Sequence, residues 1–206
     1  MLLAVGCVPT GERPTMGKEV GTASPDDTGH TGVAPVDALL DRLDDVGSRT
    51  FTANYQITRK LGPITAEAAV AQEPPRRTVR IGNTVFLTGE DREDQTCSTD
   101  DNLCDAGIIE QRVSDLGIGS SFYGPGPAQQ LRVAMSRSDG TPTASTREVG
   151  GVMADCVTVP VGGGEEVYCV SPQGPIAYVD NASTRVELTA ATESVDPTAL
   201  VPMSGS

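Results

Sequence analysis

The sequence predicts an α+β domain built mainly from antiparallel strands, with a helix at its N-terminal end and a helical insert in the middle. The chain has 206 residues, enough for one domain with its own core. It has no Trp, 3 Phe and 4 Tyr, while 23 Gly and 15 Pro recur along it and interrupt long helices. One segment with a helical period is followed by several with a period of two, and these patterns favour a mostly β fold.

The N-terminal helix is predicted over residues 35–47. Its apolar residues recur at steps of three and four, so they fall on one face of a helix. They are Val36, Leu39, Leu40, Leu43 and Val46. Pro35 suits the first turn of a helix, and Gly47 suits the position just after its end.

Strands are predicted on both sides of the insert. Apolar and polar side chains alternate over residues 51–57, which is typical of a half-buried strand. Further strand-like runs occupy residues 65–72, 77–81, 84–88, 149–161, 165–171, 176–180 and 184–190. Short Gly-, Pro- and Asn-containing turns separate them, so neighbouring strands should form antiparallel meanders.

The insert is predicted from apolar residues with helical spacing. Residues that fit one helical face are Ile108, Ile109, Val113, Leu116 and Ile118. A second short helix after Gly124 would carry Leu131, Val133 and Met135. The domain therefore reads as strands, helical insert, strands.

Residues 1–7 resemble the end of a bacterial lipoprotein signal, in which a cysteine becomes the first mature residue and carries acyl chains. Cys7 is the expected lipid anchor, and it would hold the protein at the outer face of the cell membrane. Ala4 stands where Leu is usual, and no basic segment or full apolar segment precedes it, which a start codon further upstream would explain. The alternative is an untethered chain whose apolar start is chance. The sequence contains no apolar run long enough to span a bilayer.

The segment over residues 8–34 is predicted to be a disordered tether. It consists of Gly, Pro, Thr, Ser and charged residues with almost nothing to bury. The single histidine, His30, lies inside it. The folded domain is therefore expected over residues 35–202.

The four remaining cysteines permit three disulfide pairings. A two-residue turn at Gly162-Gly163 would place Cys156 directly opposite Cys169 in a non-hydrogen-bonded pair, where Cα atoms lie about 4.5 Å apart. A disulfide can bridge that distance. Cys97 and Cys104 are then left to each other and would close a short polar loop.

No catalytic, metal or cofactor site is expected. The only histidine lies in the predicted tether, so a histidine-based triad has no base. Carboxylates at Glu165 and Glu166, or at Asp91, Glu93 and Asp94, are candidates by residue type only. The cysteines lack zinc-site spacing, and a calcium site at Asp100, Asp101 and Asp105 lacks the pattern of an EF-hand loop. A net charge of −13 disfavours nucleic acid and anionic lipid headgroups as partners.

The order of these elements resembles the LolA-like superfamily, including mycobacterial lipoproteins of the LppX and LprG type. The resemblance covers residues 35–202 and is carried by residues 51–58, 72–81 and 195–202. It implies a strongly curved half-barrel sheet around a helical plug, enclosing an apolar pocket for acyl chains of lipids or glycolipids. The residues expected to line such a pocket are Phe51, Tyr55, Ile57, Val85, Leu87, Ile109, Val113, Leu116 and Phe122.

Each of these residues could equally be an ordinary core residue. The same fold also serves in envelope-stress sensing, where it binds an anti-sigma factor, so a protein-interaction or structural module in the cell envelope is the alternative to a lipid carrier. An enclosed apolar volume of several hundred Å³ would favour the carrier, and a filled core would favour the module. A deep polar cleft with raised carboxylate pKa values would instead indicate an enzyme.

Overall fold

The computed structural model describes residues 29–90 and 93–200. Cys7, the predicted tether up to residue 28, Asp91 and residues 201–202 lie outside the described residues. The strands are β1 (Phe51–Arg59), β2 (Ile64–Glu73), β3 (Arg76–Ile81), β4 (Thr84–Thr88), β5 (Gln95–Ser98), β6 (Cys104–Ala106), β7 (Thr143–Val149), β8 (Val152–Val161), β9 (Gly164–Val170), β10 (Ile176–Asp180) and β11 (Thr184–Thr192). The α-helices are α1 (Ala34–Asp45) and α2 (Pro125–Ser136), and 3-10 helices span Val46–Ser48, Glu110–Leu116 and Pro197–Leu200.

All eleven strands form one curved, unclosed antiparallel sheet, which confirms the predicted fold class. Its order is β6-β5-β4-β3-β2-β1-β11-β10-β9-β8-β7, so it consists of two meanders that meet where β1 pairs with β11. Tyr55 lies opposite Leu188 in this central pair, next to a register shift between Asn54 and Tyr55. Such an irregularity bends a strand and increases its twist.

The β7–β8 turn shows how strongly the sheet curls. Gly150 and Gly151 both have positive φ, +59° and +79°, as the two central residues of a type I′ hairpin turn do. A Cβ atom added to Gly150 would lie 2.7 Å from the carbonyl oxygen of Leu188 on β11, a strand to which β7 and β8 are not hydrogen-bonded. The end of this hairpin therefore packs against the middle of the sheet.

The helix α1 follows its sequence pattern closely. Val36, Leu39, Leu40 and Leu43 are buried, and a 3-10 turn that includes Val46 and Gly47 follows at its end. The insert is less regular than predicted, because residues 110–116 form a 3-10 helix that stops at Gly117, with φ +70°. In α2, Leu131 is buried but Val133 is exposed.

Three strands were not anticipated from the sequence. Residues 149–161 were expected to be one strand, but a turn at Gly150-Gly151 separates Val149 from the rest. Val149 is instead the last residue of β7, which pairs with β8 across this turn. Residues 143–148 of β7 are all exposed, so no apolar alternation marks them. β5 and β6 are short, and they form a hairpin that pairs Cys97 with Cys104.

The residues just before α1 are also ordered, although they fall in the predicted tether. The backbone N–H of Thr31 donates to the Asp37 carboxylate at 2.6 Å, and its hydroxyl donates to the same oxygen at 2.8 Å. The His30 ring nitrogens lie 3.8 Å from an Asp37 oxygen and 3.6 Å from an Asp41 oxygen. Over residues 29–33, polar groups of the predicted tether thus hold the chain against α1.

Candidate functional site

The helices α1 and α2 and the 3-10 helix over Glu110–Leu116 pack into the main core, on the face of the sheet where the sequence predicted a ligand pocket. Of the nine residues expected to line it, six are buried together in the main core: Phe51, Tyr55, Ile57, Val113, Leu116 and Phe122. Ile109 is only half-buried. Val85 and Leu87 are not brought into this group, because they form a separate cluster with Cys97. Phe86 between them joins the main core, and side chains that alternate along a strand point to opposite faces.

Aromatic side chains fill the centre of this face. The ring of Phe122 meets that of Tyr55 edge to face, with centroids 5.1 Å apart and an angle of 83° between the planes. Tyr123 contacts both Phe122 and Phe51, at centroid distances of 6.1 and 6.0 Å. Burial, with a smaller effect from neighbouring Tyr123, raises the pKa of the Tyr55 phenol well above its ordinary value. Phe122 and Tyr123, which precede Gly124 at the start of α2, therefore plug the concave face of the sheet.

Beside this plug the described residues leave a small slot. A slot of about 40 Å³ lies between Phe122 and Pro127 on one side and Val179 and Val186 on the other. That volume is close to the share of one water molecule, about 30 Å³. The buried Thr184 hydroxyl also borders the slot and has no hydrogen-bond partner among the described residues.

A larger cleft lies between α2 and the sheet, and its lining is polar. It has a volume of about 530 Å³ and is bordered by Gln129, Gln130, Arg137, Glu166, Asn181 and Ser183. At its base the Tyr168 hydroxyl donates to the Glu166 carboxylate at 2.6 Å. Burial above all, with the adjacent Glu166 carboxylate, strongly raises the pKa of Tyr168. The Tyr168 phenol therefore stays protonated and serves as a hydrogen-bond donor.

A second groove runs between α1 and the free edge of the sheet. It has a volume of about 450 Å³ and is lined by Pro35, Ala38, Leu39 and Arg42 of α1 and by residues 144–146 and 155–156 of the β7–β8 hairpin. Arg42 crosses it to donate to the Asp155 carboxylate at 2.9 Å. Sequence reasoning missed this groove, because β7 carries no apolar pattern.

The structure joins the cysteines in pairs, Cys97 with Cys104 and Cys156 with Cys169. Cys156 lies directly opposite Cys169 across the Gly162-Gly163 turn, with Cα atoms 4.0 Å apart. This is the pairing that hairpin symmetry predicts. Both disulfides link neighbouring strands, so they stiffen hairpins rather than connect distant parts of the chain.

The carboxylates singled out in the sequence that the structure describes are exposed or already bonded to neighbouring groups. Glu165 is exposed, while Glu166 is half-buried and already accepts the Tyr168 hydrogen bond. Asp105 forms an ion pair with Arg112. Asp101 accepts from the Leu103 backbone, and hydrogen bonds, chiefly from the Ser98 side chain, lower its pKa. Over residues 29–90 and 93–200, no three Asp, Glu, His or Cys side chains cluster in a way that could hold a metal ion.

Comparison with known proteins finds similarity at the level of the fold. The chain matches no protein-family model and no curated protein sequence. Among solved structures it is similar to MucB, with 14% identity and a TM-score of 0.50 over 84% of this chain and 64% of MucB. The chain thus spans just under two thirds of the length of MucB. This likeness concerns the fold alone.

Two mycobacterial lipoproteins are also among the similar structures, as the sequence resemblance predicted at the level of fold. LprF from Mycobacterium bovis has 11% identity and a TM-score of 0.44, over 84% of this chain and 98% of that one. LppX from Mycobacterium tuberculosis has 14% identity and a TM-score of 0.42, over 83% and 98%. None of the helices in the described residues is long and apolar enough to cross a membrane.

Proposed function

We propose that this protein is a non-catalytic protein-interaction module of the cell envelope, tethered by a lipid on Cys7 to the outer face of the cell membrane. The observation that carries the proposal is the filled concave face of the sheet. Ligand pockets typically enclose about 300–1,000 Å³, whereas the slot between Phe122 and the sheet measures about 40 Å³. The clefts of about 530 and 450 Å³ are open to the surface rather than enclosed, so this domain is better suited to bind a partner on its surface than to enclose an acyl chain.

An acyl chain could enter the interior only if the aromatic plug moved. Phe122 is 4% exposed and Tyr123 is fully buried, and both pack against other aromatic rings. Removing a buried Phe from a core costs about 3–5 kcal/mol, and displacing this ring to admit a ligand would lose the same contacts. Opening is therefore an expensive step for this chain.

The similarity to MucB supports a protein as the partner. MucB has been crystallised in complex with MucA(peri). That complex supports a protein, rather than a lipid, as the partner of this chain. An extracytoplasmic location fits the two disulfides, which persist mainly in oxidising compartments.

A lipid or glycolipid carrier is the second candidate, and one observation favours it. Gly126, Gln130 and Asn181 border both the polar cleft and the small slot beneath it. A shift of α2 away from the sheet would therefore join a polar mouth to an apolar interior. That arrangement would suit a ligand with a polar head and an acyl tail.

Native mass spectrometry and cross-linking together separate the two candidates. The full chain would be extracted gently from the membranes of its host and analysed for bound lipid, while a second sample is cross-linked in intact cells. We expect the folded domain to carry no acyl ligand apart from its own anchor, and to cross-link to a defined envelope protein. A stoichiometric co-purified lipid without a cross-linked protein would overturn the proposal and favour the carrier.

A further inference from the structure

The two edges of the sheet differ. β6 has three residues and is tied to β5 by the Cys97–Cys104 disulfide, so little backbone is offered at that edge. β7 has seven residues, and six of them are exposed. Natural proteins usually shorten, cover or bend such an edge, since its unpaired backbone groups can pair with another chain. No strand among the described residues pairs with the long edge at β7.

Resting on the proposed interaction function, we infer that an extended segment of a partner protein adds to the sheet along β7, with a basic side chain beside Glu148 and small or apolar side chains in the α1 groove. Three features of the described residues lead to this proposal. They are the direction of the free backbone groups, the groove next to them and an unpaired carboxylate on the edge.

The backbone groups that face outward can be identified from the hairpin register. Val149 and Val152 flank a two-residue turn and therefore form a hydrogen-bonded pair. Hydrogen-bonded and non-hydrogen-bonded pairs alternate from there, so Ala144, Thr146 and Glu148 point their N–H and C=O groups away from β8. No hydrogen bond outside the strand ladders takes up these groups among the described residues. Three residues thus offer three donors and three acceptors to an added strand.

The same three residues face the α1 side of the sheet. Thr146 lies opposite Asp155, whose carboxylate binds Arg42 of α1, so the side chains at even positions of β7 share that face. In an added strand, the residues that pair with Ala144, Thr146 and Glu148 would have their side chains on this same face, above Pro35 and Ala38. The groove of about 450 Å³ could accept small or aliphatic side chains there. Backbone pairing and side-chain pockets together are how sheet edges bind peptides with specificity.

Charge indicates what the added strand should carry. The exposed Glu148 has no ion pair or hydrogen bond within residues 29–90 and 93–200, whereas Arg147 on the other face lies over the ring of Tyr178, 4.3 Å from its centroid. Met153 is opposite Glu148 and is 58% exposed. A Lys or Arg of the partner could pack its aliphatic stem on Met153 and bring its charge to Glu148. The net charge of −13 further favours a basic segment.

A second copy of this chain fits the edge less well. Two identical β7 edges would pair antiparallel around a two-fold axis perpendicular to the sheet. Even-numbered residues of one copy would then lie opposite even-numbered residues of the other, and odd-numbered residues opposite odd-numbered ones. Arg147 and Glu148 differ in parity, so they cannot lie directly opposite each other in such a pair, and a register that centres on either one sets like charges together. Each copy also carries a net charge of −13.

Two short synthetic peptides of alternating valine and threonine, which differ only in a central lysine or glutamate, test the proposal. With the full chain we expect the lysine peptide to bind about fivefold more tightly than the glutamate peptide, because a surface attraction replaces a repulsion. Glu148→Lys should reverse that preference. Glu165→Lys, a charge reversal on an exposed residue at the start of β9, should leave it unchanged. Amide NMR shifts should centre on residues 143–149 and on α1.

Thr146→Pro tests the backbone contribution directly. It removes one outward N–H without removing a hydrogen bond to β8, so binding of both peptides should fall by about tenfold while the melting temperature changes little. Thr146→Ala keeps the N–H and serves as the matched control. Ala38→Phe, which fills the groove from α1, should also weaken binding.

Several results would overturn the inference. They include no binding of either peptide, shift changes centred on the α2 cleft, and unchanged binding in Thr146→Pro. A dimer in sedimentation that Thr146→Pro abolishes would show instead that a second copy occupies the edge. If the envelope protein is still cross-linked in Thr146→Pro and Glu148→Lys, the proposed function stands and the edge proposal fails. If a lipid is bound and no protein is captured, the proposed function itself fails.

Discussion

The guanidinium of Arg77 on β3 donates a hydrogen bond of 2.7 Å to the phenol oxygen of Tyr123, just ahead of α2. Tyr123 in turn donates to the buried side chain of Gln72 at 3.2 Å. The Gln72 amide nitrogen donates to the carbonyl oxygens of Val46 at 2.6 Å and Arg49 at 2.8 Å. One chain of polar contacts thus links the sheet, the plug and the end of α1.

Gln72→Leu should lower the free energy of unfolding by about 1–3 kcal/mol, because it removes the Gln72 donor from the Arg49 carbonyl and leaves the Val46 carbonyl with only the Arg49 N–H. Urea denaturation followed by circular dichroism measures the change. Gln56→Leu, on an exposed position of β1, is the matched control and should stay within about 0.5 kcal/mol of the wild type. Equal stability of the two variants would show that Gln72 is dispensable.

Phe122→Ala should destabilise the domain by about 3–5 kcal/mol, since it removes a ring packed against Tyr55 and leaves a cavity. The wild type should bind no fluorescent fatty acid. Val133→Ala, at an exposed position of α2, should have little effect on stability.

Leu116→Asp separates a core residue from a pocket residue. Leu116 is 8% exposed, so an unpaired carboxylate there should unfold the domain. Leu116→Asn, which introduces polarity without charge, should be less severe. Loss of acyl-probe binding at an unchanged melting temperature would contradict a filled core and support the carrier.

Replacing Cys156 and Cys169 together with Ala should cost about 3 kcal/mol, the value expected from loop entropy for a closed loop of this length. The Cys97–Cys104 bond closes a shorter loop, with a sequence separation of 7 against 13, so its removal should cost less. Non-reducing peptide mapping should recover both pairs. A peptide linking Cys104 to Cys156 would show that the strand register differs in solution.

Asp180 should make stability depend on acid pH. Burial alone would raise the pKa of its carboxyl, but hydrogen bonds from Lys60, Arg185 and Tyr178 outweigh burial and hold the pKa below its ordinary value of 3.8. The Asp180 carboxylate therefore adds stability above that value, and this contribution is lost as the pH falls through the lower folded pKa. Asp180→Asn should be less stable than the wild type by about 1–3 kcal/mol at neutral pH, with the gap closing in acid.

The matched control for this pH dependence is Asp139→Asn, at an exposed position. Denaturant midpoints measured between neutral pH and pH about 2 give both curves. A difference between wild type and Asp180→Asn that stays constant into acid would contradict the assignment.

Cys7 should carry the acyl chains that tether the protein. Growth with an alkynyl fatty acid, followed by click labelling, should mark the wild type, and Cys7→Ala should abolish the label. Labelling of Cys7→Ser at the wild-type level, or an intact residue 1–6 segment in the membrane-extracted protein, would rule out this anchor.

The elements that could be predicted are those with one buried face, because their apolar residues recur with the period of a helix or a strand. The α1 face of Val36, Leu39 and Leu43 is buried, and the strands with one buried face were found. β7 could not be predicted because it is exposed along nearly its whole length, so its sequence shows no alternation of apolar and polar residues. The 3-10 helix over Glu110–Leu116 falls between the two standard periods.

The site was less predictable than the fold for a simple physical reason. A residue that lines an apolar pocket and one that packs against a neighbour are both apolar and both face inward. Phe122 could be placed on the inner face from sequence, but only its contact with Tyr55 shows that the space is taken. The fully buried Leu87 was assigned to the wrong cluster, because the sequence does not reveal that both faces of β4 are covered.

The pairing of β1 with β11 governs when this domain can fold. Every other strand pair joins strands that follow each other in the sequence, whereas β1 pairs with the last strand, so that Tyr55 lies opposite Leu188. A chain that emerges N-terminus first can form the first meander early, but the seam between the two meanders closes only after β11, the last strand, arrives. Contacts so distant along the chain slow folding. If the protein is exported as proposed, one edge of β1 would therefore stay unpaired until translocation is almost complete, which is the interval when a chaperone would be most needed.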